Sequence, residues 1–181
     1  AVTGSPNLNL TTGFANANTQ FPTGHIIQTV EFENSYPTNL TSQSYTDILS
    51  ASGTTWEPQI TTTKANSKVL IILHMPFVAI RNGASDGRGH YEIHQKIGSG
   101  GYVQKIQQTE AIGNYDYGGG GIWSASPVTL NRLFSPSSVA GTVIKYKIRF
   151  AGAASVSVRF GPDGVGETQR YGWATLMEVA G

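Results

Sequence analysis

The stretch GTVIKYKIRFAG (141–152) alternates without a break. Ile144, Tyr146, Ile148 and Phe150 fall on one side and Lys145, Lys147 and Arg149 on the other. A period of two over this length describes a half-buried strand, with the aromatic and aliphatic set facing a core. The same pattern extends outward in both directions. HYEIHQKI (90–97) places Tyr91, Ile93 and Ile97 opposite His90, Glu92, His94 and Lys96. GYVQKIQQTE (101–110) follows it across GSGG, a hairpin turn. HIIQTVEF (25–32), SYTDIL (44–49), QITTT (59–63), SVSVRF (155–160) and the closing RYGWATLMEVAG (170–181) read as further strands.

VLIILHMPFVAI (69–80) differs from these. Its centre, Val69 to Leu73, is apolar on both faces and rich in branched side chains, so it reads as a strand covered on both sides. Eight or nine strands separated by turn clusters, with no helical period, predict an all-β fold: an antiparallel β-sandwich or jelly roll.

Composition agrees. The 181 residues suit one domain with a core; charged residues are only 13%, and Gly numbers 22. A net charge of +1 gives no electrostatic pull toward nucleic acid, and the apolar runs are too short to span a bilayer as helices. The chain has no Cys, which excludes disulfides, thiolate chemistry and Cys-based zinc sites. The first residues lack the basic start and apolar middle of a secretory signal.

Residues 1–23 stand apart. They are rich in Asn and Thr, carry no charge, and scatter single apolar residues. Such a segment cannot bury enough surface to fold alone. Two readings stay open: a disordered tail, or an extended arm that becomes ordered on a neighbouring subunit or shell. In the second reading Leu8, Leu10, Phe14 and Phe21 are its anchors. Residues 24–181 form the β-domain.

In the closing run, Tyr171, Trp173, Thr175, Met177 and Val179 share one face; Gly172, Ala174, Leu176, Glu178 and Ala180 share the other. The bulky face is expected to enter the core. The small face, Gly172, Ala174, Leu176 and Ala180, is expected to admit a second subunit. The first and last strands are expected to lie side by side in one inner sheet.

Three stretches carry a resemblance: Gly24 to Val30 in FPTGHIIQTVEF, Ser67 to Leu70 in TTTKANSKVLIIL, and Thr175 to Val179 in WATLMEVAG. Together they resemble a β-domain that recurs in virion proteins of tailed phages, on head fibres, tail fibres and decoration proteins. The resemblance frames residues 24–181 and contains no catalytic motif. It implies an architecture similar to the trimeric jelly rolls of the tumour-necrosis-factor and C1q type. It also implies a structural role at the virion surface, after synthesis in the host cytoplasm, with the arm attached to a capsid or neck protein. The alternative is a tail-fibre tip that recognises host surface glycan through its loops. NYDYGGGGIW (114–123) is the candidate ligand loop, with Tyr115, Tyr117 and Trp123 as contact residues.

No enzymatic site emerges. There is no nucleophile elbow and no phosphate loop. His90 and His94 are too far apart along a strand to share a metal, so no metal or other cofactor is expected. His74 is read as a hydrogen-bonded core residue. The strip Lys145, Lys147 and Arg149 reads as a solvated face or a surface for acidic partners. It has no interleaved aromatics of the kind that grip nucleic acid.

Overall fold

The computed structural model describes residues 20–34, 38–40, 44–82, 86–115, 123–152, 156–160 and 172–181. Among them all regular structure is strand: β1 (Ile26–Asn34), β2 (Thr38–Leu40), β3 (Thr46–Asp47), β4 (Gln59–Thr61), β5 (Lys68–Asn82), β6 (Asp86–Ile97), β7 (Val103–Tyr115), β8 (Trp123–Phe134), β9 (Val143–Gly152), β10 (Val156–Phe160) and β11 (Gly172–Val179). Every pairing is antiparallel. One sheet runs β1-β11-β5-β8, with β10 and β2 continuing beside the far half of β5. The other runs β9-β6-β7, with β3 and β4 sharing the remaining edge of β9. The chain crosses repeatedly between the two sheets, which is the path of a jelly roll.

The core lies where the sheets face each other. Ile144, Tyr146, Ile148 and Phe150 of β9 are fully buried, as their alternation predicts, and so is Ile93 of β6. They meet Ile71, Leu73 and Met75 of β5 and Ala174 and Leu176 of β11. Phe134 stacks obliquely on Tyr146 at 5.4 Å, and Tyr91 on Phe150 at 6.1 Å. The Tyr146 hydroxyl accepts a 2.9 Å bond from the buried Gln95 amide, so the polar pair inside the core is matched.

β8 has no counterpart in the strand reading. Its sequence is interrupted by Pro127, and β5 carries Pro76. The β5–β8 register shifts between Met75 and Val78, where Pro127 faces two residues of β5. Proline lacks the N–H that a ladder needs, and a bulge next to an edge is where a sheet tolerates it.

β1 pairs with β11 along its length, so the first and last strands are neighbours as expected. What binds them to the rest is Glu178, which is completely buried. Its carboxylate accepts from the backbone N–H of Thr63 (2.8 Å) and of Lys64 (3.0 Å). It also accepts from the hydroxyls of Thr63 (3.0 Å) and Ser67 (2.7 Å) and from the Gln28 amide (2.6 Å). Gln28 donates in turn to the carbonyl of Thr61. One charge thus joins β1, β11 and the turn leading into β5. Gln28, Ser67 and Glu178 belong to the three stretches that carry the phage-domain resemblance, and here they form one cluster.

Burial pushes the pKa of Glu178 up, but the bonds from Ser67, Thr63, Gln28 and Lys64 outweigh it and hold the carboxyl below its ordinary value of 4.5. A depressed folded value means that its stabilisation is present at neutral pH and fades as pH falls below that ordinary range. Glu178→Gln keeps the shape and removes the charged acceptor. It should cost about 3 kcal/mol at pH 7. Urea unfolding from pH 7 to pH 3 should show the gap between wild type and variant closing as the medium becomes acidic.

Candidate subunit interface

The two outer faces of the sandwich differ in chemistry. On the β9-β6 sheet the outward side chains are charged, and they neutralise one another. Lys145 pairs with Glu57 and Lys147 with Asp47, both at 3.1 Å. Arg149 lies 2.9 Å from Asp47 and 3.3 Å from Glu92, and donates to the Tyr45 carbonyl at 2.6 Å. Glu92 is buried beneath this network and also bonds His94 at 2.9 Å. Lys147 and Lys96 sit over the Tyr102 ring, at 4.8 and 5.8 Å. Burial, with the charges of Glu57 and Asp47 beside it, holds the Tyr102 phenol above its ordinary value. Burial also lifts the Glu57 carboxyl, yet Tyr102 and Lys145 pull it below its usual range. The cationic strip is therefore occupied by acids of its own chain, chiefly from the segment 47–57.

The open face of the other sheet is apolar at its centre. Register places Met177, Thr175 and Trp173 of β11 beside Leu70, Ile72 and His74 of β5. Leu133, Asn131 and Thr129 of β8 continue the same rows. Trp173 and Leu133 are 44% and 48% exposed, values that a solvated β-strand face normally reserves for polar residues. His74 leans against Trp173, with ring centres 4.4 Å apart, and shares a 2.9 Å hydrogen bond with the Thr129 hydroxyl. Expected in the core, it has the hydrogen-bond partner but lies on the open side. At the β1 edge, Glu31, Phe32, Glu33 and Trp173 line a shallow depression of about 410 Å³.

The faces of β11 depart from the sequence expectation at Trp173 and Met177, although Thr175 and Val179 of the same expected face are buried. Gly172, Ala174, Leu176 and Ala180, assigned to a subunit contact, are all buried within their own chain. Gly172 faces Met75 so closely that a Cβ there would lie 2.6 Å from its sulfur. Small residues were needed because β5 and β9 already fill the core. Trp173 and Met177, assigned to the core, lie on the open face. The missed signal is Glu178: a buried acid with five donor groups marks its face as the inner one.

Of the other candidate residues, Phe21 is half-buried on its own chain. It stacks on His25 at 5.3 Å, with Lys64 6.0 Å from its ring centre. Leu8, Leu10, Phe14 and Tyr117 lie outside the described residues. Tyr115 closes β7 opposite Asp86, and Trp123 opens β8 opposite Arg81. Among the described residues no group of three His, Asp or Glu side chains is placed to hold a metal.

No protein-family model and no curated protein sequence matches the chain. Among solved structures, the Eiger TNF of S. frugiperda aligns over 84% of this chain and 92% of its own, at 8% identity and a TM-score of 0.42. A structure of infectious bursal disease virus, Gx strain, aligns over 83% of this chain and 38% of its own, at 16% identity and a TM-score of 0.36. An exo-β-1,3-galactanase from Phanerochaete chrysosporium aligns over 83% and 29%, at 15% identity and a TM-score of 0.23. The jelly-roll assignment rests on the strand order and not on these overlaps.

If segment 47–57 is what neutralises the strip, removing its acids should expose it. The Asp47→Ala, Glu57→Ala double variant should elute from heparin at higher salt than wild type. It should lose about 1 kcal/mol of stability, as expected for half-exposed ion pairs. Unchanged elution would mean that other groups screen the strip. By these contacts the chain is an all-β jelly roll with one self-neutralised charged face and one open apolar face.

Proposed function

We propose that this chain is a non-enzymatic structural protein of a tailed-phage virion, of the capsid-decoration, cement or short head-fibre kind. In this reading it assembles as a homotrimer through the open face of the β1-β11-β5-β8 sheet. The N-terminal residues attach it to a capsid or neck protein, and it acts at the virion surface.

One observation carries the assembly: Leu70, Ile72, Met177, Trp173 and Leu133 share one sheet face, on which Trp173 and Leu133 are exposed and the other three half-buried. Contiguous apolar surface of this kind marks a protein interface in a soluble chain. The other outer face, with its matched ion pairs, needs no partner. The phage assignment is supported by the resemblance in three separate stretches whose polar residues converge on one carboxylate. That convergence gives the motif a physical purpose: it closes the domain.

Light scattering tests the assembly. The full chain should run at three times the 19.3 kDa chain mass. Leu133→Glu combined with Trp173→Glu should bring it to the single-chain mass with little change in melting, because both positions are exposed. A wild-type monomer with no affinity for phage shells in co-sedimentation would overturn the proposal.

A further inference from the structure

β1 is an edge strand. It pairs with β11 on one side, and among the described residues no strand pairs with its other side. From Gln28 to Asn34 the ladder runs without a register shift, and the strand contains no proline. Its outer N–H and C=O groups therefore stand in a regular row, to which an extended peptide can add as a further strand.

The side chains beside this row differ by face. Val30 and Phe32 lie on the core side, opposite Leu176 and Ala174. Leu176 and Ala174 are fully buried, whereas Val30 and Phe32 are only half-buried, since among the described residues no strand flanks them on the outside. On the open side stand Thr29, Glu31 and Glu33, opposite Met177, Thr175 and Trp173. Both glutamates are exposed, and among the described residues neither has an ion-pair partner. Glu31, Phe32, Glu33 and Trp173 together line the depression at this edge.

A strand laid against β1 places each residue on the same face as the β1 residue opposite it. Opposite Glu31 and Glu33 it meets carboxylates; opposite Phe32 it meets an incompletely covered ring. Two basic side chains with an apolar one between them match all three. A long cationic side chain opposite Glu33 can also lie in the depression against the Trp173 indole, whose face attracts a cation. The domain uses the same pairing internally. Arg149 of β9 stands directly opposite Asp47 of β3 and Glu92 of β6, at 2.9 and 3.3 Å, while its neighbours Ile148 and Phe150 fill the core. Charge also argues against two other occupants. A second β1 would set Glu31 and Glu33 against their own copies, and like charges directly opposite destabilise a ladder. Residues 1–23 carry no charged side chain, so they offer nothing to the two carboxylates.

We infer that the outer edge of β1 is a docking site for an extended basic segment of another protein, added as a strand in the register basic–apolar–basic opposite Glu31, Phe32 and Glu33. An added strand lies in the plane of the sheet and leaves its face free, so the inference does not rest on the proposed homotrimer.

The test uses the full chain and three short, end-capped, fluorescently labelled peptides. One alternates Lys and Ile, one has the same composition with its lysines grouped at one end, and one alternates Glu and Ile. By anisotropy, the alternating Lys peptide should bind about tenfold more tightly than either of the others. Amides of β1 that exchange readily with solvent in the free protein should slow when it is bound. Glu31→Lys with Glu33→Lys should turn the preference toward the Glu peptide, and Glu31→Gln with Glu33→Gln should remove the preference for either sign. Melting curves confirm that each variant is folded. Equal affinity for the alternating and grouped Lys peptides would reduce the contact to unspecific charge attraction and overturn the inference. So would unchanged exchange at β1, binding indifferent to these substitutions, or no binding at all. Each of these failures leaves the homotrimer, read separately from the mass in solution, untouched.

Discussion

The Glu178 carboxylate is the constraint on which the rest of this sandwich depends. A buried charge is tolerable only when every lone pair finds a donor, and here the donors come from β1, from Thr63 and Lys64, and from Ser67. These groups are far apart in sequence, so the cluster exists only in the closed fold. It also fixes the phase of β11. A slip of one residue would drive Glu178 to the open side and orphan five donor groups. With the phase fixed, Gly172, Ala174 and Leu176 must enter the core, and Trp173 and Met177 must face outward.

That phase explains why the two outer faces solve different problems. The β9 face carries three cations in a row, and like charges at successive outward positions repel. Asp47, Glu57 and Glu92 are placed between them and pair with them. The β11–β5 face contains no such counterweight, because it carries no charge at its centre. Water is a poor neighbour for Leu133 and Trp173, and a sheet edge left beside them is a template for indiscriminate pairing. A defined partner removes both liabilities.

Much of the fold is legible in the sequence, and the exceptions have physical causes. The alternation of 141–152 gave the right inner set, Ile144 to Phe150, because no special residue disturbs its period. The doubly apolar centre of 69–80 predicts cover on both sides; Val69, Ile71 and Leu73 are buried, while Leu70 and Ile72 on the other face are half-buried. The faces of β11 were misassigned because side-chain size was weighed and the hydrogen-bonding capacity of Glu178 was not. β8 is not legible in the sequence: Pro127 interrupts it, and the bulge that accommodates this proline depends on Pro76 and Phe77, some fifty residues earlier. The acids that neutralise the cationic strip lie 57 to 100 residues away, at a distance no local pattern reports.

The position of the open face follows from the same economy of volume. The sandwich interior is filled by long side chains of β9 and β5, so β11 contributes little more than backbone and two methyl-bearing residues there. Its large side chains have nowhere to go but out. A solvated protein could replace Trp173, Met177 and Leu133 by Thr or Lys without disturbing a single core contact, since none of the three belongs to the core cluster. Keeping them outward costs solubility and gives the isolated chain nothing in return. Their presence makes sense when the face has an occupant of matching shape.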